Sequence, residues 1–372
     1  MKFNEATGCQ DERDSPIGAR MIVNGQEVDC FCGTSYFTLH AHPAVIQASC
    51  AATKKYGMGP STIAGASLFS ETVEIARSFF QAEALTYTAS GYLGAMVLAQ
   101  ALQGQYDSVF LDENSHYSIF DGVNTSNKPI FKFNHLDPND LAGKLQRHML
   151  PGEVPLIMTD GVFPATGMIA PLPAYCEIIS NYDNSLLCVD DSHAVGVIGK
   201  RGQGTFEYFG LQGDNLHYFG TLSKAFGGMG GIIPSSQATA NRIEKYSRVV
   251  IGASRPPIPA IAASGMGIQV LAENPDMRKS LWANARSIRS GIRELGFEID
   301  DSVIPIVNIP GSPSLNLRNV KAELDRQRLS VLYLPPKGYS DAPNVESIRI
   351  AVFSTHCENQ IDRLVSAIRK AI

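Results

Sequence analysis

No apolar run in this 372-residue sequence approaches the ~20 residues that a bilayer-crossing helix needs. The opening, MKFNEATGCQDERDSP, is too polar for a secretory signal, so a cytoplasmic protein without a membrane partner is expected. A basic excess is also missing. The net charge is -5 and no Lys/Arg cluster is interleaved with aromatics, which argues against nucleic acid and leaves small molecules as the expected partners. The cysteines (Cys9, Cys30, Cys32, Cys50, Cys176, Cys188, Cys357) are odd in number and scattered. They offer neither a disulfide framework nor paired metal-ligand spacing, so reduced thiols and no metal site are expected. Cys30 and Cys32 read as two strand residues, and His40 and His42 as a helix-entry loop.

What the chain does have is enough apolar material, 44% of its residues, to bury a sizeable core. From about residue 70 to 235, short β-rich runs (ALTYTA, SVFLD, PIFKF, VPLIMTD, LLCVDD, LHYFGT) alternate with helical patterns or turn signals. That alternation predicts an α/β fold with a mostly parallel sheet flanked by helices. In NHLDPNDLAGKL, Asp137 can cap a helix, Pro138 suits its first position and Asp140 favours its positive end. After residue 256 the texture shifts to long helices, the short strands VIPIVNI, LSVLYL and SIRIAV, and a final amphipathic helix. The expected organisation is an arm over 1–45, a large domain over 46–256 and a smaller α+β domain over 257–372.

The chemistry-bearing residues fall at strand ends. LLCVDDSHAVG runs an apolar strand into Asp190 and Asp191, with His193 close behind, and ligands bind at that edge of open α/β sheets. A buried carboxylate there needs a partner, and a ring nitrogen kept protonated would serve. A turn-capping aspartate and a satisfied loop histidine would look the same. One strand later, HYFGTLSKAFGGMGG sets Lys224 among small and apolar residues, where desolvation makes an amine nucleophilic and fit for Schiff-base chemistry. The glycines after it are expected to turn the backbone away from a crowded ring. Ser90, Gly91 and Tyr92 lie where a strand gives way to a helix, so backbone N–H groups can hold an anion, with Thr221 and Ser223 adding hydroxyls. His116, after FLDENS, could stack on a flat cofactor or be a satisfied turn residue. A reactive lysine, a carboxylate for a ring nitrogen, a stacking ring and a phosphate cradle together describe a pyridoxal 5'-phosphate site.

On TDGVF (159–163), VDDSHAVG (189–196) and GTLSKAFGG (220–228), the chain resembles the α-oxoamine synthase family of fold-type I pyridoxal-phosphate transferases. That group includes 8-amino-7-oxononanoate synthase, 2-amino-3-ketobutyrate CoA ligase and serine palmitoyltransferase, and the motifs are most similar to the first two. The resemblance implies that Lys224 carries the cofactor and moves the substrate's α-proton. Asp190 would hold the pyridine nitrogen, His193 the phenolic oxygen, and His116 would stack on the ring. Gly91, Tyr92 and Thr221 would hold the phosphate, and Arg349, in SIRIAV, would grip the substrate carboxylate. It further implies a homodimer that condenses an amino acid with an acyl-CoA or acyl-carrier thioester, with loss of carbon dioxide.

The sequence departs from the family pattern at several points. GTSYFTL has Thr34 and Ser35 in place of a polar pair, and Ile63 stands where a basic residue is usual. PATG follows TDGVF in place of Ser-Met-Asp-Gly, so Pro164 supplies no side-chain donor. Gly252 replaces a hydroxyl, and Arg255 enters an apolar position as a candidate second anion contact across a dimer interface. These departures cluster on the substrate side and spare the cofactor set. Transamination, carbon–carbon cleavage or decarboxylation on the same scaffold is therefore a second reading, and a non-catalytic descendant a third.

Overall fold

The computed structural model describes residues 12–372; Cys9 and the first part of the polar opening lie outside the described residues. Strands β1 (Arg20–Val23) and β2 (Gln26–Cys30) form a hairpin. Its two turn residues, Asn24 and Gly25, have φ of 51° and 70°, the left-handed backbone a two-residue hairpin turn requires.

The central sheet comprises β3 (Ala84–Thr88), β4 (Ser108–Asp112), β5 (Ile130–Phe133), β6 (Pro155–Asp160), β7 (Leu186–Asp190), β8 (Leu216–Thr221) and β9 (Gly231–Ser235). Its spatial order is β3-β9-β8-β7-β6-β4-β5. The run from β8 to β5 is parallel. Strands β4, β6 and β7 are buried at every position because helices cover both faces. The period-two alternation of side chains sorts them cleanly. Val109, Leu111, Leu156 and Met158 face the helix Gly94–Ala101, while Phe110, Ile157, Leu187 and Val189 face the helices Pro138–His148 and Leu172–Ile179. Asp137 caps the former of these, accepting from the amides of Asn139 and Asp140, as the sequence predicts.

Strand β9 is the one member of this sheet that the sequence patterning does not reveal. It runs antiparallel to both β3 and β8, and the preceding glycines and its own Pro234 disguise it. The proline is tolerated because β8 pairs only with Gly231 and Ile232, so no ladder donor is needed on that side of Pro234.

Toward the C-terminus, β10 (Ile306–Pro310), β12 (Leu332–Leu334) and β13 (Ser347–Ala351) form an antiparallel sheet. The preceding strand, β11 (Leu329–Ser330), pairs in parallel with β2. LSVLYL is thus not one strand but two, divided at Val331 between different sheets. The helices Asp276–Glu294, Leu317–Arg326 and Glu358–Ala371 pack on this region, and Ile258–Glu273 packs on Pro43–Tyr56 and Ala66–Phe80. The carboxyl ends of β4, β6, β7 and β8 share one edge of the large sheet, and the candidate residues gather there.

Candidate active site

Asp160 and Asp190 end β6 and β7 as register partners, which puts two buried carboxylates side by side. Burial first, then Asp190, pushes the Asp160 carboxyl well up. Asp160 accepts the His116 backbone N–H at 2.7 Å and so fixes the turn that carries that ring. Asp190 accepts from the Ser192 amide at 2.9 Å with Oδ1, and Ser118 Oγ stands 3.5 Å from its Oδ2. Asp191 faces elsewhere. It accepts from the Thr205 amide and hydroxyl at 2.8 Å each, and burial lifts it to about 7.

Lys224 follows β8 and is partly buried. Among the described residues its amine makes no hydrogen bond or ion pair. Desolvation lowers its pKa to about 8, opposed by the charges of Asp190 and Asp160 and aided by Arg349. The glycines beyond it include two with left-handed backbone, Gly227 and Gly230, and Gly227 has a further task. At Gly227 (φ 65°) a Cβ would sit 2.5 Å from the Leu39 carbonyl carbon, so this glycine admits the 39–40 backbone against the lysine loop. There, His40 Nε2 donates to the Ser223 carbonyl at 3.0 Å while its Nδ1 pairs with Ser35 Oγ at 2.6 Å. Ser35, one of the substitutions in GTSYFTL, thereby props the segment bearing Lys224.

His193 is buried, and burial together with the charges of Lys224 and Arg349 holds its ring far below its ordinary pKa, hence neutral. Its Nδ1 pairs with the fully buried Tyr36 hydroxyl at 2.6 Å. Burial raises that phenol to about 12, with Arg349 pulling the other way. Arg349, on β13, donates from Nε to the Pro164 carbonyl at 2.7 Å and from a terminal nitrogen to Gly33 at 3.4 Å. Position 164 thus contributes its carbonyl, as an acceptor.

His116 caps the helix Tyr117–Val123, with Nδ1 2.7 Å from Ser118 Oγ and Nε2 3.0 Å from the Tyr339 hydroxyl. Ser90, Gly91 and Tyr92 lead into the helix Gly94–Ala101; the Tyr92 amide donates to Ser90 Oγ at 3.2 Å, and the Tyr92 hydroxyl donates to Asp121. Thr221 Oγ1 lies 2.8 Å from Ser223 Oγ. A Cβ at position 91 would come within 2.7 Å of Thr221 Cβ, so this turn and the end of β8 close on each other. Arg255 is exposed and stacks over the Phe69 ring at 4.2 Å, and Ile63 is 90% exposed.

The sequence reading passed over Tyr36, Asp160, Tyr339 and Asp341, and gave His40 only a place in a helix-entry loop. Asp160 had a signal, since TDGVF ends a strand on a carboxylate just as VDD does. The others come from distant segments with no local mark.

The class I and II aminotransferase family matches residues 43–368. The chain belongs to that family. Among curated members, the 8-amino-7-oxononanoate synthase of Coprothermobacter proteolyticus is 31% identical over 353 residues, 94% of this chain and 89% of that protein. The enzyme of the same name from Thermosipho melanesiensis is 32% identical over 355 residues, with the same coverage. Among solved structures, a lysine-to-alanine variant of serine palmitoyltransferase from S. paucimobilis with bound PLP–myriocin aldimine superposes with TM-score 0.86 at 25% identity, over 95% of this chain and 89% of that one. Both names fall within the α-oxoamine synthase group that the motifs resemble. The fold of 8-amino-7-oxononanoate synthase from Francisella tularensis also matches, with TM-score 0.77 over 92% of this chain and 97% of that one, at 24% identity.

Proposed function

We propose that this aminotransferase-family protein condenses an amino acid with an acyl thioester, releasing carbon dioxide, with pyridoxal phosphate as cofactor. The observation that carries this reading is Lys224, an amine of lowered pKa without a hydrogen-bond partner among the described residues, at the same sheet edge as the buried Asp190. The donor set fits the group. Asp190 has the charge to hold a pyridinium, the neutral His193 keeps Nε2 for a phenolic oxygen, and the turn at 90–92 with Thr221 and Ser223 offers amides and hydroxyls to a phosphate.

When bound, pyridoxal phosphate supplies an electron sink for a carbanion at the substrate's α-carbon. The chain's own residues do the rest. Lys224 Nζ takes and returns the proton at that carbon, since an amine with pKa near 8 exchanges protons readily near neutral pH. Tyr36 holds the His193 ring in orientation through Nδ1. Arg349, steadied by Pro164, offers its remaining donors to the amino-acid carboxylate. His116 would stack against the cofactor ring. The acyl group arrives on coenzyme A or a carrier-protein thiol.

A homodimer in the cytoplasm completes the proposal. Met58 and Ile63, on either side of the bridge between Pro60 and Pro257, are large apolar side chains left exposed, a surface suited to a second copy. Cys30, Cys32, Cys50, Cys176, Cys188 and Cys357 are all unpaired, in keeping with a reducing compartment.

The test is to incubate the pyridoxal-phosphate-loaded protein with a panel of amino acids, with and without acyl-CoAs, while following thiol release and product mass. Amino-acid-dependent thiol release with an aminoketone product is expected. A keto acid formed without thiol release would replace this reading with transamination.

A further inference from the structure

The segment 335–346, between β12 and β13, crosses to the active-site edge of the large sheet. Within it, Lys337 N–H bonds to Pro343 at 2.9 Å, Gly338 N–H to Pro335 at 2.8 Å and Ala342 N–H to Tyr339 at 3.1 Å, so the loop is closed on itself. Asp341, 2% exposed, accepts from the Ala165 and Thr166 amides at 2.8 Å each and from Thr166 Oγ1 at 2.7 Å. Three donors converging on one carboxylate make a strong charge-assisted dock. The residues docked belong to PATG, the turn that departs from the family pattern, and its Pro164 holds Arg349.

Two residues before Asp341, the Tyr339 hydroxyl meets His116 Nε2 at 3.0 Å, and its ring packs against Tyr117 edge-on at 5.8 Å. The Ser118 amide donates to His116 Nδ1 at 3.3 Å, which assigns the ring proton to Nε2 and makes Tyr339 the acceptor. The imidazole is therefore gripped at both nitrogens.

We propose that Tyr339 is a positioning residue that sets the plane of the His116 ring toward the cofactor, and that Asp341, docked on the 164–167 turn, holds Tyr339 in place. This rests on the reading that His116 faces bound pyridoxal phosphate.

The test titrates pyridoxal phosphate into apoprotein carrying Tyr339→Phe or Asp341→Asn and records the circular dichroism induced in the bound cofactor, with thermal unfolding alongside. The expected result for Tyr339→Phe is about three- to tenfold weaker binding, from one lost hydrogen bond, and an altered dichroic band at unchanged thermal stability. Asp341→Asn should shift both cofactor readouts in the same direction. Unaltered protein that binds the cofactor, with a Tyr339→Phe variant identical to it in affinity and dichroism, overturns this inference alone. Asp341→Asn lowering only the unfolding temperature overturns the role of the dock. Unaltered protein that binds no pyridoxal phosphate overturns the functional reading, and this inference with it.

Discussion

Arg349 Nε donates to the Pro164 carbonyl at 2.7 Å. The position at which the chain loses a side-chain donor is therefore the one that steadies the guanidinium proposed to meet the substrate carboxylate. Nε and one terminal nitrogen of the arginine are committed to the backbone carbonyls of Pro164 and Gly33, leaving the remaining N–H groups for a ligand.

Arg349→Lys keeps the charge but loses the planar fork, and a flexible ammonium cannot hold Pro164 and a carboxylate in one geometry. The KM for the amino acid should rise about tenfold or more while the KM for the acyl thioester stays within about twofold. Steady-state kinetics with each substrate varied in turn decides this; equal rises in both constants would contradict it.

Asp190→Asn keeps an oxygen for the Ser192 amide and removes the charge. Cofactor attachment should persist while kcat falls by about tenfold to 100-fold, the range expected when a charged hydrogen bond at the reacting system is lost. Absorbance of the bound cofactor and turnover, read on the same sample, separate the two effects.

Lys224 has its amine pKa lowered from 10.5 to about 8, chiefly by desolvation. Its neutral fraction, and with it the rate at which apoprotein takes up pyridoxal phosphate, should rise through pH about 8 and level off above. Between about 8 and 10.5 the unfolded chain holds the extra proton, so this group's contribution to stability grows with pH across that window and is lost as pH falls through 8. Stopped-flow uptake over pH 6 to 10 measures the profile, in the range of about two units either side of the lowered value. A rate still climbing beyond the plateau would place the amine in water.

Tyr36→Phe leaves His193 Nδ1 without its 2.6 Å partner in a buried setting. An unpaired buried polar atom costs about 1–3 kcal/mol, so the urea midpoint should drop accordingly. An unchanged midpoint would show that the pair contributes nothing to folding.

Much of this was legible in the sequence for reasons that are local. Asp190 ends an apolar strand, His193 and Lys224 each sit just past one, and Asp137 announces its helix by capping chemistry alone. Strand β9 was hidden because it is glycine-led and interrupted by Pro234, so neither alternation nor a clean β-rich run marks it. Tyr36 with His193, Tyr339 with His116 and Asp341 with Thr166 join segments more than 150 residues apart. Such contacts depend on how the smaller sheets dock against the large one, which no window of sequence contains. Ser35 and Pro164 looked like losses when each motif was considered alone, and the fold shows what they bond to instead.

The central claim is that Lys224 is the residue joined to the cofactor. Reducing the pyridoxal-phosphate-loaded protein with borohydride, digesting it and mapping the pyridoxyl mass tests that directly. The modification is expected at one mole per chain on the peptide containing Lys224, and absent from Lys224→Ala. A modification spread over surface lysines, or one that survives in Lys224→Ala, would contradict the account.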